Sequence, residues 1–175
     1  MMESVSVREF QAGEWRVYRD LRLRALADSP DSFARTLAEE QGRTDSDWSD
    51  LLLASTSSPS QVSMLAERGR RAVGLAYGRL APDAPEVAHQ YAMWVEPAAR
   101  RCGVGRALVR AVVAWARSAS ARCLILQVTE GNTAAAGLYE RAGFLPTSER
   151  SPLRPDSSLY VRTLCLELSS RSAQR

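Results

Sequence analysis

Between Met93 and Ser118 the chain reads as a strand that stops at a proline, a short basic loop holding two glycines, and an amphipathic helix. Met93-Trp94-Val95 is apolar, Pro97 ends it, and Arg100-Arg101-Cys102-Gly103-Val104-Gly105-Arg106 follows. Val104, Leu108, Ala111, Val112 and Trp115 then recur at helical spacing. Glycines permit a tight turn and let a ligand approach the backbone closely. A helix start offers amide N–H groups without helical partners, and its dipole favours an anion. From residue 98 to residue 129 there are six arginines and no acidic side chain. In physical terms this is a cradle for a pyrophosphate. It demands a helix that follows a sheet strand, which points to a mixed α/β domain.

Several phosphate-binding solutions are excluded at once. A dinucleotide fingerprint wants glycine or alanine where Leu108 stands. A P-loop needs lysine, and the chain has none: all 23 of its basic side chains are arginine. The same gap removes a kinase-type strand lysine and any Schiff-base chemistry. Isoleucine and asparagine occur once each, as Ile125 and Asn132, so the bias is that of a G+C-rich coding sequence. Taken alone, a Gly-x-Gly is as readily a plain turn before a helix.

A length of 175 residues suits one domain, read as spanning 1–175, with residues 169–175 as a flexible tail. Cys102, Cys123 and Cys165 are scattered and His89 is the sole histidine, so no metal site and no disulfide framework are expected. No window approaches 18 apolar residues, and the N-terminus lacks the apolar core of a signal peptide. A cytoplasmic protein without membrane or nucleic-acid partners is expected, since a net charge of +3 is small. A homodimer is left open.

Hydrophobic periodicity predicts strands near 5–10, 61–67, 72–80, 86–95, 123–128, after Phe144 and at 159–168. Helices are predicted over 14–27, from about residue 44 through Leu53, over 104–118 and over 132–142, with 33–40 a helix or turn. Alternation places Val87, His89, Tyr91, Met93 and Val95 on one face of their strand. Gly143 reads as the residue that ends the last helix, and Gly137, inside it, as a point of close approach.

The segment from Met93 to Leu108 resembles the coenzyme A motif of the GNAT N-acetyltransferases, Arg/Gln-x-x-Gly-x-Gly/Ala, with Arg100, Gly103 and Gly105 matching. A second stretch, Asn132-Thr133-Ala134-Ala135-Ala136-Gly137-Leu138-Tyr139-Glu140-Arg141-Ala142-Gly143-Phe144, is similar to that family's Asn-x-x-Ala-x-x-Leu-Tyr-Glu-x-x-Gly-Phe. The two motifs cover about 50 residues in the family's order. Ala99 and Arg101 depart from the smaller or acidic residues common in its loop.

The resemblance implies a mixed, mostly antiparallel GNAT-type sheet flanked by helices. A coenzyme core lies at about 86–145 and acceptor-side helices at about 14–55. It implies acetyl-CoA as cosubstrate and no metal. A bulge would splay the strand of Met93 and Val95 from its neighbour, leaving their backbone to pair with the pantetheine arm. Phosphate contacts fall on Arg100 and on Arg101, Cys102, Gly103, Val104, Gly105 and Arg106, the middle ones through amides. Asn132 is a good N-cap by residue type, and the resemblance adds a contact to the arm. Tyr139 becomes the general acid at the leaving sulfur and Val95 the oxyanion donor.

Acetyl transfer to an amine requires the amine to lose a proton, since an alkyl ammonium has a pKa of about 10. His89 and, through water, Glu86 are the candidate bases, and direct attack with the proton passing to bulk water also fits. Seven acidic residues against two arginines between Asp28 and Asp50 are either a solvated helical face or an attraction for a cationic amine. The function expected is N-acetyltransfer to a small-molecule or peptide amine. A GNAT-like module that binds acyl-coenzyme A without transferring it is the alternative.

Overall fold

A strand of alternating burial needs a partner on each edge and a cover on each face, and the chain supplies both from short connections. The computed structural model describes residues 4–168. In chain order the elements are β1 (Val5–Glu9), α1 (Trp15–Asp28), α2 (Leu37–Gln41), α3 (Asp45–Ser57), β2 (Gln61–Arg68), β3 (Arg71–Ala81), β4 (Ala84–Val95), α4 (Val104–Ser118), β5 (Cys123–Thr129), α5 (Thr133–Arg141), β6 (Leu145–Pro152) and β7 (Tyr160–Glu167). They form one seven-stranded sheet in the order β1-β2-β3-β4-β5-β7-β6. Only β4 and β5 run parallel, joined through α4; every other neighbouring pair is antiparallel. The mixed, mostly antiparallel class expected from the sequence is the one found.

Each face carries its own core. On one, Leu108, Val109 and Val112 of α4 pack with Val62, Ala76, Leu124 and Phe144. On the other, Leu21 and Leu26 of α1 and Trp48 and Leu52 of α3 pack with Leu65, Leu75 and Trp94. Two threonines start the short helices. Thr36 and Thr44 accept hydrogen bonds from the amides of Glu39 and Asp47, whose carboxylates bond back to the threonine amides. Glu39 and Asp47 are therefore capping residues.

The element order agrees with the sequence reading and most boundaries shift by one or two residues; α2 starts only at Leu37, and α3 runs on to Ser57, into the stretch read as loop. One expectation fails. Opposite Leu75 and Tyr77 of β3 stand Trp94 and Tyr91 of β4, so β4 holds one extra residue there. Ala92 sits at φ 52°, the left-handed region that side chains avoid. The bulge reverses the alternation, so Met93 and Val95 face α4 and α5 whereas His89 and Tyr91 face the opposite way. No helix among the described residues is long and apolar enough to cross a membrane.

Candidate active site

Just before the bulge β4 leaves β5. The two strands pair at Val87/Cys123, Ala88/Leu124 and His89/Ile125, with no further pair among the described residues. From Gln90 onward the strands diverge, and their facing backbone groups border a wedge-shaped opening. The loop after β4 leads to its mouth. Pro97–Ala99 makes one tight turn, Arg101 and Gly103 take positive φ (63° and 85°), and α4 starts at Val104. Gly103 is the N-cap and supplies no side chain. The first helical bond is donated by the Ala107 amide to the Gly103 carbonyl at 3.0 Å. The preceding amides of the turn thus have no intrahelical acceptor. Gly105 lets α4 pack closely: a Cβ there would lie 3.2 Å from Leu138 Cδ2 and 3.5 Å from Met93 Cε. An open amide turn, no acidic side chain from residue 98 to residue 129 and a backbone-lined wedge fit the diphosphate and extended arm of coenzyme A.

The sequence-predicted residues fall into three groups. Met93 and Val95 lie on β4 past its last pair with β5, and Arg101 to Arg106 form the loop and first turn that follow. Arg100 is tied down: its Nε donates to the Val95 carbonyl at 2.9 Å and its guanidinium pairs with Asp28. It braces the loop against α1 rather than projecting freely. Asn132 Oδ1 accepts from the Ala135 amide at 3.2 Å, so it is the N-cap of α5, and its Nδ2 lies 3.5 Å from Ser32 Oγ. Gly137 does not mark a close approach within the protein, because a Cβ there meets only the end of Arg141. Gly143, at φ 95°, does follow the end of α5.

Tyr139 stands at the narrow end of the wedge. It is 7% exposed, its ring packs edge-on to Phe144 at 5.7 Å, and its hydroxyl donates towards Met93 Sδ at 3.5 Å. Gln90 Nε2 donates to the same hydroxyl oxygen at 3.2 Å. Burial pushes the phenol pKa up to about 12, with Gln90 opposing the rise, so Tyr139 holds its proton throughout the neutral range.

The two candidate bases separate. His89 occupies the last paired position of β4, on the face opposite Tyr139, and stacks on Tyr91 at 5.8 Å. Burial lowers its pKa, leaving the imidazole neutral at pH 7. Glu86 is exposed at the other end of β4, where its carbonyl accepts from Arg122. Four strand residues, about 13 Å, separate it from Gln90, so the structure does not bring it to the wedge. The acidic run also has local partners. Glu40 contacts Arg22, Arg35 and Arg43, Asp45 contacts Arg19, and Asp28 holds Arg100. Three of the seven acids are thus paired with arginine where they stand.

Sequence reasoning missed Gln90, Asp28 and Trp94. Gln90 carried a signal, being a polar residue two positions after Ala88 on a face that must be buried. Asp28 carried none, because its partners are distant in the chain. Trp94 Nε1 donates to its carboxylate at 2.9 Å, and Ser29 and Arg100 donate as well. Burial alone would raise the Asp28 pKa, but these donors together outweigh it and hold the carboxyl below its ordinary value. A depressed pKa stabilises the fold above the unfolded value of about 3.9, and that contribution disappears as pH falls through the folded value. Asp28→Ala should therefore melt below the parent at pH 7 and converge on it in acid. A gap that stays constant from pH 7 to pH 3 would contradict this.

Comparison with known proteins adds the family. Residues 16–144 match the model of the acetyltransferase (GNAT) family. A mycothiol acetyltransferase of Thermobispora bispora is 34% identical over 148 residues, which is 81% of this chain and 47% of that protein. One from Geodermatophilus obscurus is 33% identical over 147 residues, 81% of this chain and 45% of that protein. The chain thus spans about half the length of the curated relatives it matches. Among solved structures, a GNAT-family acetyltransferase from Streptococcus pneumoniae superposes with a TM-score of 0.79 at 18% identity, over 95% of this chain and 100% of the other. A Salmonella typhimurium acetyltransferase solved with acetyl-CoA gives 0.79 at 15%, over 98% of each chain.

Proposed function

The chain belongs to the acetyltransferase (GNAT) family, and on that premise we propose that it transfers the acetyl group of acetyl-CoA to a primary amine. One observation carries the reading: the wedge beyond His89 and Ile125 has free helix-start amides at its mouth and a protonated Tyr139 at its narrow end. The first turn of α4, with Arg101 and Arg106, holds the diphosphate. The backbone of Met93 and Val95 aligns the arm, and the Val95 amide faces the developing oxyanion. Tyr139 protonates the departing sulfur. The acceptor enters from the opposite face of the sheet, past Tyr91 and His89, and His89 rather than Glu86 is placed to take its proton. A cationic acceptor has less to attract it than the acid count suggests, because Asp28, Glu40 and Asp45 already pair with arginines. The relatives' name makes mycothiol chemistry the first place to look for it.

Acetyl-CoA at a hundred times its Kd should add about 2.7 kcal/mol and raise Tm by roughly 5 to 11 °C. Absence of any shift would remove coenzyme binding altogether. Thioester loss measured across a panel of amines then identifies the acceptor. A shift without loss for any amine would leave a binding module in place of an enzyme.

A further inference from the structure

The Gln90 side chain is 5% exposed and sits where β4 parts from β5, one residue past the last pair. A carboxamide offers two N–H donors and one carbonyl acceptor. Nε2 reaches two acceptors, Tyr139 Oη at 3.2 Å and Met93 Sδ at 3.4 Å. Oε1 is buried and has no partner among the described residues. Turning the carboxamide over would give Oε1 the tyrosine proton but forfeit the Nε2 donations to Tyr139 Oη and Met93 Sδ. One unanswered acceptor therefore remains at the narrow end of the wedge, beside the hydroxyl that faces the reacting sulfur. A buried carbonyl without a donor is costly, and such groups in native proteins are usually answered by a ligand or water.

Donors available there are few. Resting on the acetyl-CoA reading above, the nearest is the amide N–H of the coenzyme's arm, two carbons from the sulfur. The acceptor amine approaches from the other face of the sheet, the side of His89 and Tyr91, while Gln90 shares the face of Met93 and Tyr139. We propose that Gln90 is a coenzyme-binding residue whose side-chain carbonyl accepts the arm's amide N–H nearest the sulfur while its NH₂ aims the Tyr139 hydroxyl. One side chain then fixes the distance between the thioester and its proton donor.

The test is equilibrium binding by calorimetry, without any acceptor present. Coenzyme A is compared with an analogue in which that amide N–H is replaced by an ester oxygen. On the parent protein the analogue should bind about tenfold more weakly. Gln90→Met keeps the volume and removes both polar atoms; it should bind coenzyme A about tenfold more weakly and no longer distinguish the two ligands. Equal affinity of the two ligands on the parent would overturn the proposal, and so would a penalty that persists on the variant. Unchanged coenzyme affinity with a raised acceptor KM would assign the oxygen to the acceptor and overturn it equally. The parent comparison stands even if the variant does not fold. No binding of coenzyme A to the parent would overturn the acetyltransferase reading itself, a result distinct from a failure of this contact.

Discussion

Tyr139→Phe should lower kcat by about 10² to 10⁴-fold while leaving the coenzyme Kd within about threefold of the parent. The ring stays, so its edge-on contact with Phe144 and its place in the core are preserved. Only the hydroxyl goes, and with it the proton for the leaving sulfur. The pH profile separates this from a packing defect. Because burial holds the phenol pKa near 12, Tyr139 stays protonated across an ordinary assay range. The rise in rate with pH should then follow the acceptor amine, whose own pKa is about 10. The variant should show the same slope at a much lower level. A variant turning over as fast as the parent would show that this hydroxyl is not the acid.

Leu108→Ala should destabilise the fold by about 3 to 5 kcal/mol, a fall in Tm of roughly 5 to 20 °C for a chain of this size. Leu108 is fully buried, and its Cδ1 would lie 3.3 Å from a Cβ placed on Gly74. Gly74 is itself fixed, since such a Cβ would come within 2.8 Å of the Trp94 carbonyl. Neighbouring backbone therefore cannot close on the space a lost leucine leaves, and the cavity term is felt nearly in full. Leu145→Ala is the matched control. That side chain is 70% exposed, and its removal should stay within about 0.5 kcal/mol. Comparable losses at both sites would show that α4 does not seat the core as described.

How much of this was legible beforehand depends on whether the cause is local. The helix at 104–118 matches its predicted bounds because amphipathic spacing and an N-terminal glycine act within the segment. The open amides of the turn before it were equally readable, since they follow from Gly103 and the start of a helix. The fate of Met93 and Val95 was not. Simple alternation put them beside His89, whereas the extra residue at Ala92 turns them to the other face, and alanine is not a residue that announces a left-handed backbone. Arg100 illustrates a second limit. Its motif position suggests phosphate, but Asp28, 72 residues earlier, claims its guanidinium. The pairing of the acidic run was illegible for the same reason: its partners Arg19 and Arg22 lie on α1 and become neighbours only when the helices pack.

The parting of β4 from β5 has a mechanical consequence. With only three residue pairs along that seam, the sheet behaves as two panels, one of four strands and one of three. What rivets them is α4, whose apolar side rests on β1, β2, β3 and β4 and also touches β5. The chain unfolds as one unit to the extent that this helix stays seated. The helix whose first turn lies at the mouth of the opening is thus also the hinge pin of the molecule.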